Sequence, residues 1–341
     1  MTPDLRTRYL GLDLRSPIVA SSTPLTGDPS FVKQLEAAGA GAIVLPSLFE
    51  EEILNDEIEM SRSLDQGTEQ YAEALDYFPT VAEFKGVGDQ YLDRLVKTKS
   101  AVSIPVIASL NADSAGGWVR YARLIQDAGA DALELNLYHV AADPALDSAA
   151  REQADIDLVA EIRAAISIPF AVKLSPYYAA LANFAGKVVG AGADGLVLFN
   201  RFYQPDLDLD TFDVVTKVSL SHPSELRMPL RWIAILRPQL GASTGLAATT
   251  GIHSGTDAVK ALSVGADVVM MASAILRHGA GHVGTVEREL VAWMEEREYT
   301  GVSQLRGSAS AATVADPTAY ERANYLKTLH SWSTPTELAT F

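Results

Sequence analysis

Lys173 is the side chain whose setting most demands a chemical explanation. It stands in Phe170-Ala171-Val172-Lys173-Leu174, a run that is otherwise apolar. An ammonium in such a run must reach water, pair with an anion or lose its proton. The anionic ring or phosphate of a bound cofactor would satisfy it. A Schiff base with a carbonyl substrate would use its deprotonated form, and snorkelling to a rim would leave it without chemistry. Other polar residues stand where apolar runs stop: Ser21 and Ser22, Ser47, Asn111, Asn136, Asn200, Thr249 and Thr250, and Ser273. Thr250-Gly251 opens toward a helical pattern near Thr256–Leu262, and Ala272-Ser273 follows the last apolar run. Two such loops, through hydroxyls and backbone N–H groups, are suited to a phosphate, and the glycine lets the backbone come close to it.

The elements that must carry these residues are marked by a recurring phrase. Ala-Gly-Ala-Gly occurs at 38–41, Ala-Gly-Ala-Asp at 128–131 and 191–194, and Val-Gly-Ala-Asp at 264–267. Each follows a stretch with helical spacing and leads into a short apolar run, which reads as helix stop, tight turn and buried strand. Ser-Ile-Pro at 103–105 and 167–169 opens two further strands, because proline excludes helix there. Eight strands are expected: Ile18–Ser21, Ile43–Leu45, Val106–Leu110, Ala132–Leu137, Phe170–Leu174, Leu196–Phe199, Leu246–Thr249 and Val268–Met271.

Strands that read as continuous apolar runs and alternate with helices are parallel and covered on both faces. Eight such units imply a closed α/β (β/α)8 TIM barrel. The rival, a doubly wound open sheet, lacks a Gly-x-Gly-x-x-Gly after the first strand. In a barrel, the polar strand ends converge on the C-terminal mouth, where this fold builds its sites.

Helical stripes support the alternation. Asp28-Pro29 caps a helix carrying Phe31, Leu35 and Ala38 on one face. Trp118, Tyr121, Ala122 and Ile125 form another stripe, as do Ile156, Val159, Ile162 and Ile166, and then Tyr177, Leu181, Phe184 and Val188. Two connections are long for such a fold, about fifty residues after the second strand and about forty-five after the sixth, against a typical two to six. Loops of that length on the mouth side commonly form a lid or pocket wall. The run Glu50-Glu51-Glu52 in the first reads as a solvated helix face. The last barrel helix is expected around Thr285–Arg297. The barrel is assigned residues 1–310, and 311–341 a helical tail with Tyr320, Tyr325, Leu326 and Trp332 that packs on the barrel or a neighbouring subunit, which leaves a homo-oligomer open.

Composition narrows the function classes. The chain has 341 residues, 48% of them hydrophobic, and a formal net charge of −16, which suits one large soluble domain. A surface that acidic repels phosphate backbones and anionic lipid, so nucleic acid and membrane are poor partners and a small-molecule substrate is expected. The start, Met1-Thr2-Pro3-Asp4, lacks the pattern of a signal peptide, so a cytoplasmic protein is expected. There is no cysteine, which removes thiolate zinc sites, cysteine-held iron–sulfur clusters and cysteine catalysis. The six histidines lack metal-site spacing; His278 and His282 are four apart, but Gly279, Gly281 and Gly284 argue against a helix there, and no metal is expected. Redox chemistry would need an organic cofactor or a partner subunit.

Several segments together resemble the FMN-dependent dihydroorotate dehydrogenases. Ser16-Pro17-Ile18-Val19-Ala20-Ser21-Ser22 is similar to the family's first-strand segment, and Glu134-Leu135-Asn136-Leu137 matches its Glu-Leu-Asn-Leu strand. Ala171-Val172-Lys173-Leu174-Ser175-Pro176-Tyr177 resembles Gly-Val-Lys-Leu-Pro-Pro-Tyr, and Thr250-Gly251-Ile252 with Ser254-Gly255-x-Asp257-Ala258 resembles the phosphate loop; Tyr299–Gly307 is similar to the ending of the soluble class. The resemblance implies FMN, with Lys173 against the flavin and stabilising its reduced, anionic form. Asn136 would hold flavin and substrate, and Asn200 the substrate ring. Ser21, Ser22 and Ser47 would line the flavin edge, Asn111 would be a further cofactor-binding residue, and Thr250, Gly251, Ala272 and Ser273 would lie around the phosphate. The implied activity is oxidation of dihydroorotate to orotate in pyrimidine biosynthesis.

Departures from the family fall on the substrate side. Its catalytic cysteine, or serine in the membrane-associated class, gives way to Tyr138-His139-Val140-Ala141, so His139 or Tyr138 becomes the candidate base. The lysine after the second strand is Pro46, the asparagine after the cysteine-proline pair is Ala141, and the substrate loop reads Asp76-Tyr77-Phe78-Pro79. An FMN-binding barrel with another substrate, or without turnover, and a lyase or aldolase using Lys173 are the alternatives.

Overall fold

The computed structural model describes residues 2–53, 55, 86–112, 118–322 and 325–331. After a short antiparallel hairpin of β1 (Thr7–Tyr9) and β2 (Leu12–Leu14), eight parallel strands close a barrel: β3 (Ile18–Ala20), β4 (Ala42–Phe49), β5 (Val106–Ala112), β6 (Ala132–Leu137), β7 (Phe170–Leu174), β8 (Gly195–Leu198), β11 (Gly245–Ala248) and β12 (Val268–Met271), the last pairing back onto β3. Helices α1 (Pro29–Ala37), α2 (Val87–Ala101), α3 (Trp118–Asp127), α4 (Ser148–Ala165), α5 (Leu181–Gly190), α6 (Arg227–Leu240), α7 (Gly255–Val264), α8 (Ser273–His278) and α9 (His282–Glu296) follow the strands. All eight expected strands are present, three with the expected ends and five with an end shifted by one to four residues.

Two apolar layers result, because successive side chains on a strand point to opposite faces. Ile18, Ile43, Val106, Leu133 and Leu196 face outward onto the helices. Val19, Val44, Ile107, Ala132, Ala171, Val197, Ala247, Val268 and Met270 fill the interior, together with Tyr9, Leu10 and Leu14 of the hairpin. That hairpin, which the sequence reading leaves out, plugs the N-terminal end of the barrel. Its three-residue strands are too short to show a period, and burial of Tyr9 pushes the phenol pKa well up, with Glu134 and Asp267 adding to the shift. Stepping two residues at a time along the interior face leads to Ser21, Ser109, Glu134, Asn136, Lys173, Phe199, Thr249 and Ala272. A register shift in β4 between Val44 and Ser47 brings Ser47 opposite Ser109, with the two hydroxyl oxygens 2.8 Å apart.

The recurring Gly-Ala-Asp phrase closes the N-terminal end. Its glycine ends the helix in the left-handed conformation, as at Gly265 (φ +119°), and its aspartate reaches across to the preceding strand. Asp131 and Asp194 accept the first N–H of β5 (Val106, 2.7 Å) and β7 (Phe170, 3.0 Å), and Asp267 the second of β11 (Leu246, 2.7 Å). Each also pairs with a cation from the helix before that strand: Lys99 at 2.6 Å, Arg163 at 3.1 Å and Arg237 at 2.5 Å. In the first copy Gly41 stands in place of aspartate, where a Cβ would lie 2.0 Å from the Ser16 carbonyl oxygen.

Three expectations about helices are corrected. Tyr177 is not on the stripe of the helix after the fifth strand: α5 starts at Leu181, and Tyr177 is 66% exposed in the preceding loop, where Pro176 delays the helix. His278 ends α8 and His282 begins α9, so only Gly279–Gly281 break the chain, while Gly284 lies inside α9. The last barrel helix accordingly starts at His282 rather than near Thr285. In the connection after β8, a second hairpin, β9 (Asp206–Leu207) with β10 (Val214–Val215), precedes α6. Glu51 and Glu52 are exposed as expected, whereas Glu50 accepts a hydrogen bond from the Trp118 indole at 3.0 Å. In the tail Tyr320 packs against the barrel's outer core and donates to the Ala309 carbonyl, while Tyr325 is exposed; the Leu326 side chain and Trp332 lie outside the described residues.

Candidate active site

The strand ends enclose a cavity of about 240 Å³ at the C-terminal mouth, bordered by Ser21, Ser22, Ser47, Asn136, Lys173, Asn200, Thr250, Gly251, Ala272 and Ser273. These are ten of the thirteen residues given a catalytic, cofactor-binding or substrate-binding role from sequence, and Thr249, read there as a polar strand end, borders it as well. Asn111, Tyr138 and His139 do not border it, although Asn111 lies beside Asn136 in the register of β5 and β6. The Asp76–Pro79 segment lies outside the described residues. Phe199, Arg201, Ser221, Thr249, Ile252 and Met270 complete the lining. Phe199, Thr249 and Met270 are interior positions of their strands, which periodicity can supply, whereas Ser221 comes from the middle of a long connection and carries no sequence signal.

On the barrel floor Lys173 is 13% exposed, and its Nζ lies 3.3 Å from Oε1 of Glu134, which is 2% exposed. The lysine therefore has an anionic partner inside the protein, one strand away. Oε2 of Glu134 and Oδ1 of Asn136 are buried without a hydrogen-bond partner among the described residues. An unpaired buried acceptor costs about 1–3 kcal/mol, so Asn136, which borders the cavity, presents an acceptor to any ligand N–H placed there. Asn200 is held by its own amide, Nδ2 donating to the Leu137 carbonyl at 2.9 Å and the Lys173 carbonyl at 3.3 Å. Tyr91, from α2, brackets Ser109 by donating to its carbonyl and accepting from its N–H, and burial pushes the phenol's pKa up.

At the opposite wall the loops after β11 and β12 meet. Thr250 adopts a left-handed φ of +72°, a strained conformation for a threonine of the kind that clusters at functional sites. The backbone N–H groups of Gly251 and Ile252 have no protein acceptor among the described residues. Ser273 Oγ accepts from the Ser221 N–H at 2.9 Å, and the Ser221 hydroxyl lies 3.2 Å from Nε2 of His253. Burial and then the nearby Arg277 lower the pKa of that imidazole. The start of α7 is closed by carboxylates, Asp257 accepting from the His253 and Ser254 N–H groups and Glu289 from that of Gly255. Open amides of the loop after β11 are therefore those of Gly251 and Ile252 rather than those at the start of α7.

The loop after β6 turns its polar groups away from the mouth. His139 Nε2 is 3.0 Å from Oδ1 of Asp155, a fully buried carboxylate on α4 that also accepts from Arg151 and Tyr178. Burial and then the charge of Asp155 push the Tyr178 phenol up. Tyr138 stacks on Phe202 at 4.3 Å, and its hydroxyl accepts from the Tyr203 N–H at 2.9 Å. His139 borders a separate outer cavity of about 550 Å³ with Tyr177, Tyr178 and Phe202. Among the described residues no group of three or more histidines and carboxylates could hold a metal, and no helix is long and apolar enough to cross a membrane.

Over most of its length the chain is similar to known proteins. The family model described as dihydroorotate dehydrogenase matches residues 83–294. The catalytic subunit of dihydroorotate dehydrogenase B (NAD(+)) from Thermoplasma volcanium is 23% identical, covering 90% of this chain and 98% of that protein. A putative dihydroorotate dehydrogenase A (fumarate) from Aeropyrum pernix is 26% identical over 81% of this chain and 88% of its own length. The chloroplastic dihydropyrimidine dehydrogenase (NADP(+)) of Arabidopsis thaliana is 22% identical over 89% of this chain and 76% of that protein. A family match that runs from before β5 through most of α9 covers six of the eight barrel strands, and this chain belongs to the dihydroorotate dehydrogenase family.

Proposed function

We propose that this chain is an FMN-dependent oxidoreductase of a CH–CH group, of the dihydroorotate dehydrogenase type, acting in the cytoplasm in pyrimidine biosynthesis. The observation that carries the reading is the pairing, across one cavity, of a floor with Lys173 and the acceptor of Asn136 and a wall with the N–H groups of Gly251 and Ile252, that acceptor and those two N–H groups having no partner among the described residues. The residues fit the group: Lys173, Asn136 and the serines at 21, 22 and 47 would hold the ring, and Thr250, Gly251, Ala272 and Ser273 the phosphate. When bound, FMN supplies a ring that accepts a hydride. Lys173 would supply a positive charge to that ring, Asn136 and Asn200 would orient ring and substrate, and the interior side chains of the barrel would exclude water from the floor of the cavity.

Tyr138 and His139, the candidates for the base, act in this reading as residues that fasten the loop after β6, since their polar groups are engaged by Tyr203 and Asp155. That placement favours the second reading, an FMN barrel whose substrate differs from dihydroorotate or which has lost turnover. The aldolase alternative requires an unpaired amine and has Lys173 beside a carboxylate. An absorption spectrum of the purified protein, mass identification of the released chromophore and anaerobic addition of dihydroorotate test the proposal. Bound FMN bleached by dihydroorotate is expected; bound FMN that no dihydroorotate reduces moves the protein to the second reading, and a colourless protein that takes up no added FMN overturns both.

A further inference from the structure

Among the described residues two cations border the mouth, and the second is Arg201. It follows Asn200 at the end of the sixth barrel strand and borders both the mouth cavity and a wider cavity of about 650 Å³ that shares its wall. Unlike Lys173 it lies toward the open side, 38% exposed. Its guanidinium is nevertheless held in place: Nε donates to Glu225 Oε2 at 2.9 Å, Nη2 reaches Glu225 Oε1 at 3.5 Å and Nη1 donates to the Ser219 carbonyl. Glu225 is fixed in turn by the His222 N–H at 2.6 Å. Burial alone would raise the pKa of Glu225, but these bonds from Arg201 and His222 hold it below the usual carboxylate range.

A guanidinium has five N–H donors, so these contacts leave two unengaged. An ion pair this exposed contributes little to stability, and its effect here is to fix the direction of a planar fork at the edge of a binding cavity. The floor offers the complementary chemistry. Asn136 Oδ1 is an acceptor, and Asn200, with Nδ2 engaged by two carbonyls, also turns its oxygen to use as an acceptor. We propose that Arg201 selects for an acidic substrate, its two remaining N–H groups taking a carboxylate of the ligand while the asparagines take its N–H groups. This deepens the reading of the site as a flavin oxidoreductase and rests on it.

The test measures binding of orotate and of its uncharged carboxamide by calorimetry, with flavin content read by absorbance in the same samples. Arg201→Ala is expected to weaken orotate about 10- to 100-fold and the carboxamide less than about threefold, as loss of a charge-assisted hydrogen bond requires, with flavin content equal to the parent's. Arg201→Lys, which keeps the charge but not the fork, is expected to recover only part of the loss. Equal losses for the two ligands overturn the assignment and make Arg201 a strap for the pocket wall. Loss of flavin with orotate affinity unchanged overturns it in favour of a contact to the cofactor's phosphate. A flavin-loaded parent that binds both ligands equally also overturns it and leaves the redox reading standing. A flavin-free parent whose preference for orotate disappears in Arg201→Ala supports the assignment and removes the redox reading instead.

Discussion

Glu134 shows what the barrel interior asks of Lys173. The carboxylate is 2% exposed, meets the lysine at 3.3 Å through one oxygen and has no partner for the other among the described residues. Stripping a buried ion pair of one member costs about 3–5 kcal/mol, whereas replacing both members by uncharged groups of similar size is close to neutral. Lys173→Met is therefore expected to lower the unfolding free energy by about 3 kcal/mol in urea denaturation, and Lys173→Met with Glu134→Gln to recover most of it. If flavin affinity does not return with stability in the double variant, the lysine acts on the cofactor directly; if the single variant is as stable as the parent, the ion pair is not the floor's organising contact. The anomaly of Lys173 is legible in the sequence but its partner is not, because Glu134 and Lys173 become neighbours only through the pairing of β6 with β7. His139 was harder still: its place in the chain suggests a base, while the buried Asp155 that engages it sits on a helix one turn beyond Arg151. His139→Ala is expected to lower the melting temperature and to slow substrate reduction of the flavin less than about tenfold, since loss of a general base costs about 10²–10⁴. A slowdown of a hundredfold at unchanged melting temperature would return the ring to proton transfer.

Among the elements, the recurring Gly-Ala-Asp phrase marks helix stops and strand starts in the sequence, and each lies where that reading put it. Its aspartate has a further role that local pattern does not reveal, joining neighbouring strands of the barrel at their N-terminal ends. The three clasps differ in burial: the side chains of Asp131 and Asp194 are 27% and 41% exposed, while Asp267 is 2% exposed and pairs with both Arg237 and Arg306 at 2.5 Å. Solvent screening limits the first two, but the third holds two guanidinium groups and a strand N–H in a dry environment. Asp267→Asn is expected to cost about 3 kcal/mol, and Asp131→Asn or Asp194→Asn about 1 kcal/mol or less, in urea denaturation. Equal losses at all three positions would mean that the N–H of the preceding strand, common to all, carries the whole effect. What escaped the sequence at this scale are the elements without a period of their own: the plug β1–β2, which takes its place from the barrel it seals, and β9–β10, two residues per strand inside a long connection.

For the molecule as a whole, a sealed N-terminal end and a polar C-terminal mouth divide stability from function. The plug and the clasps hold the bottom, while the top carries, among the described residues, an unpartnered acceptor at Asn136, open amides at Gly251 and Ile252 and a left-handed Thr250, features that a ligand can relieve but that folding alone does not. The same division explains what composition could reveal: a charge of −16 and the absence of cysteine narrow the partners and the cofactor type, but say nothing of which end is left incomplete. A ligand that binds only the folded chain stabilises it by about 2.7 kcal/mol at a hundred times its Kd, enough to raise the melting temperature by several degrees. FMN is expected to produce such a rise in flavin-stripped protein. Riboflavin, which has the ring but no phosphate, is expected to give a clearly smaller one at equal concentration, because Gly251 and Ile252 offer their N–H groups to an anion that only FMN carries. Thermal melts of the same stripped sample with each flavin read the difference. Equal rises would take the wall formed by the loops after β11 and β12 out of cofactor binding and leave the floor around Lys173 and Asn136 to hold the ring alone.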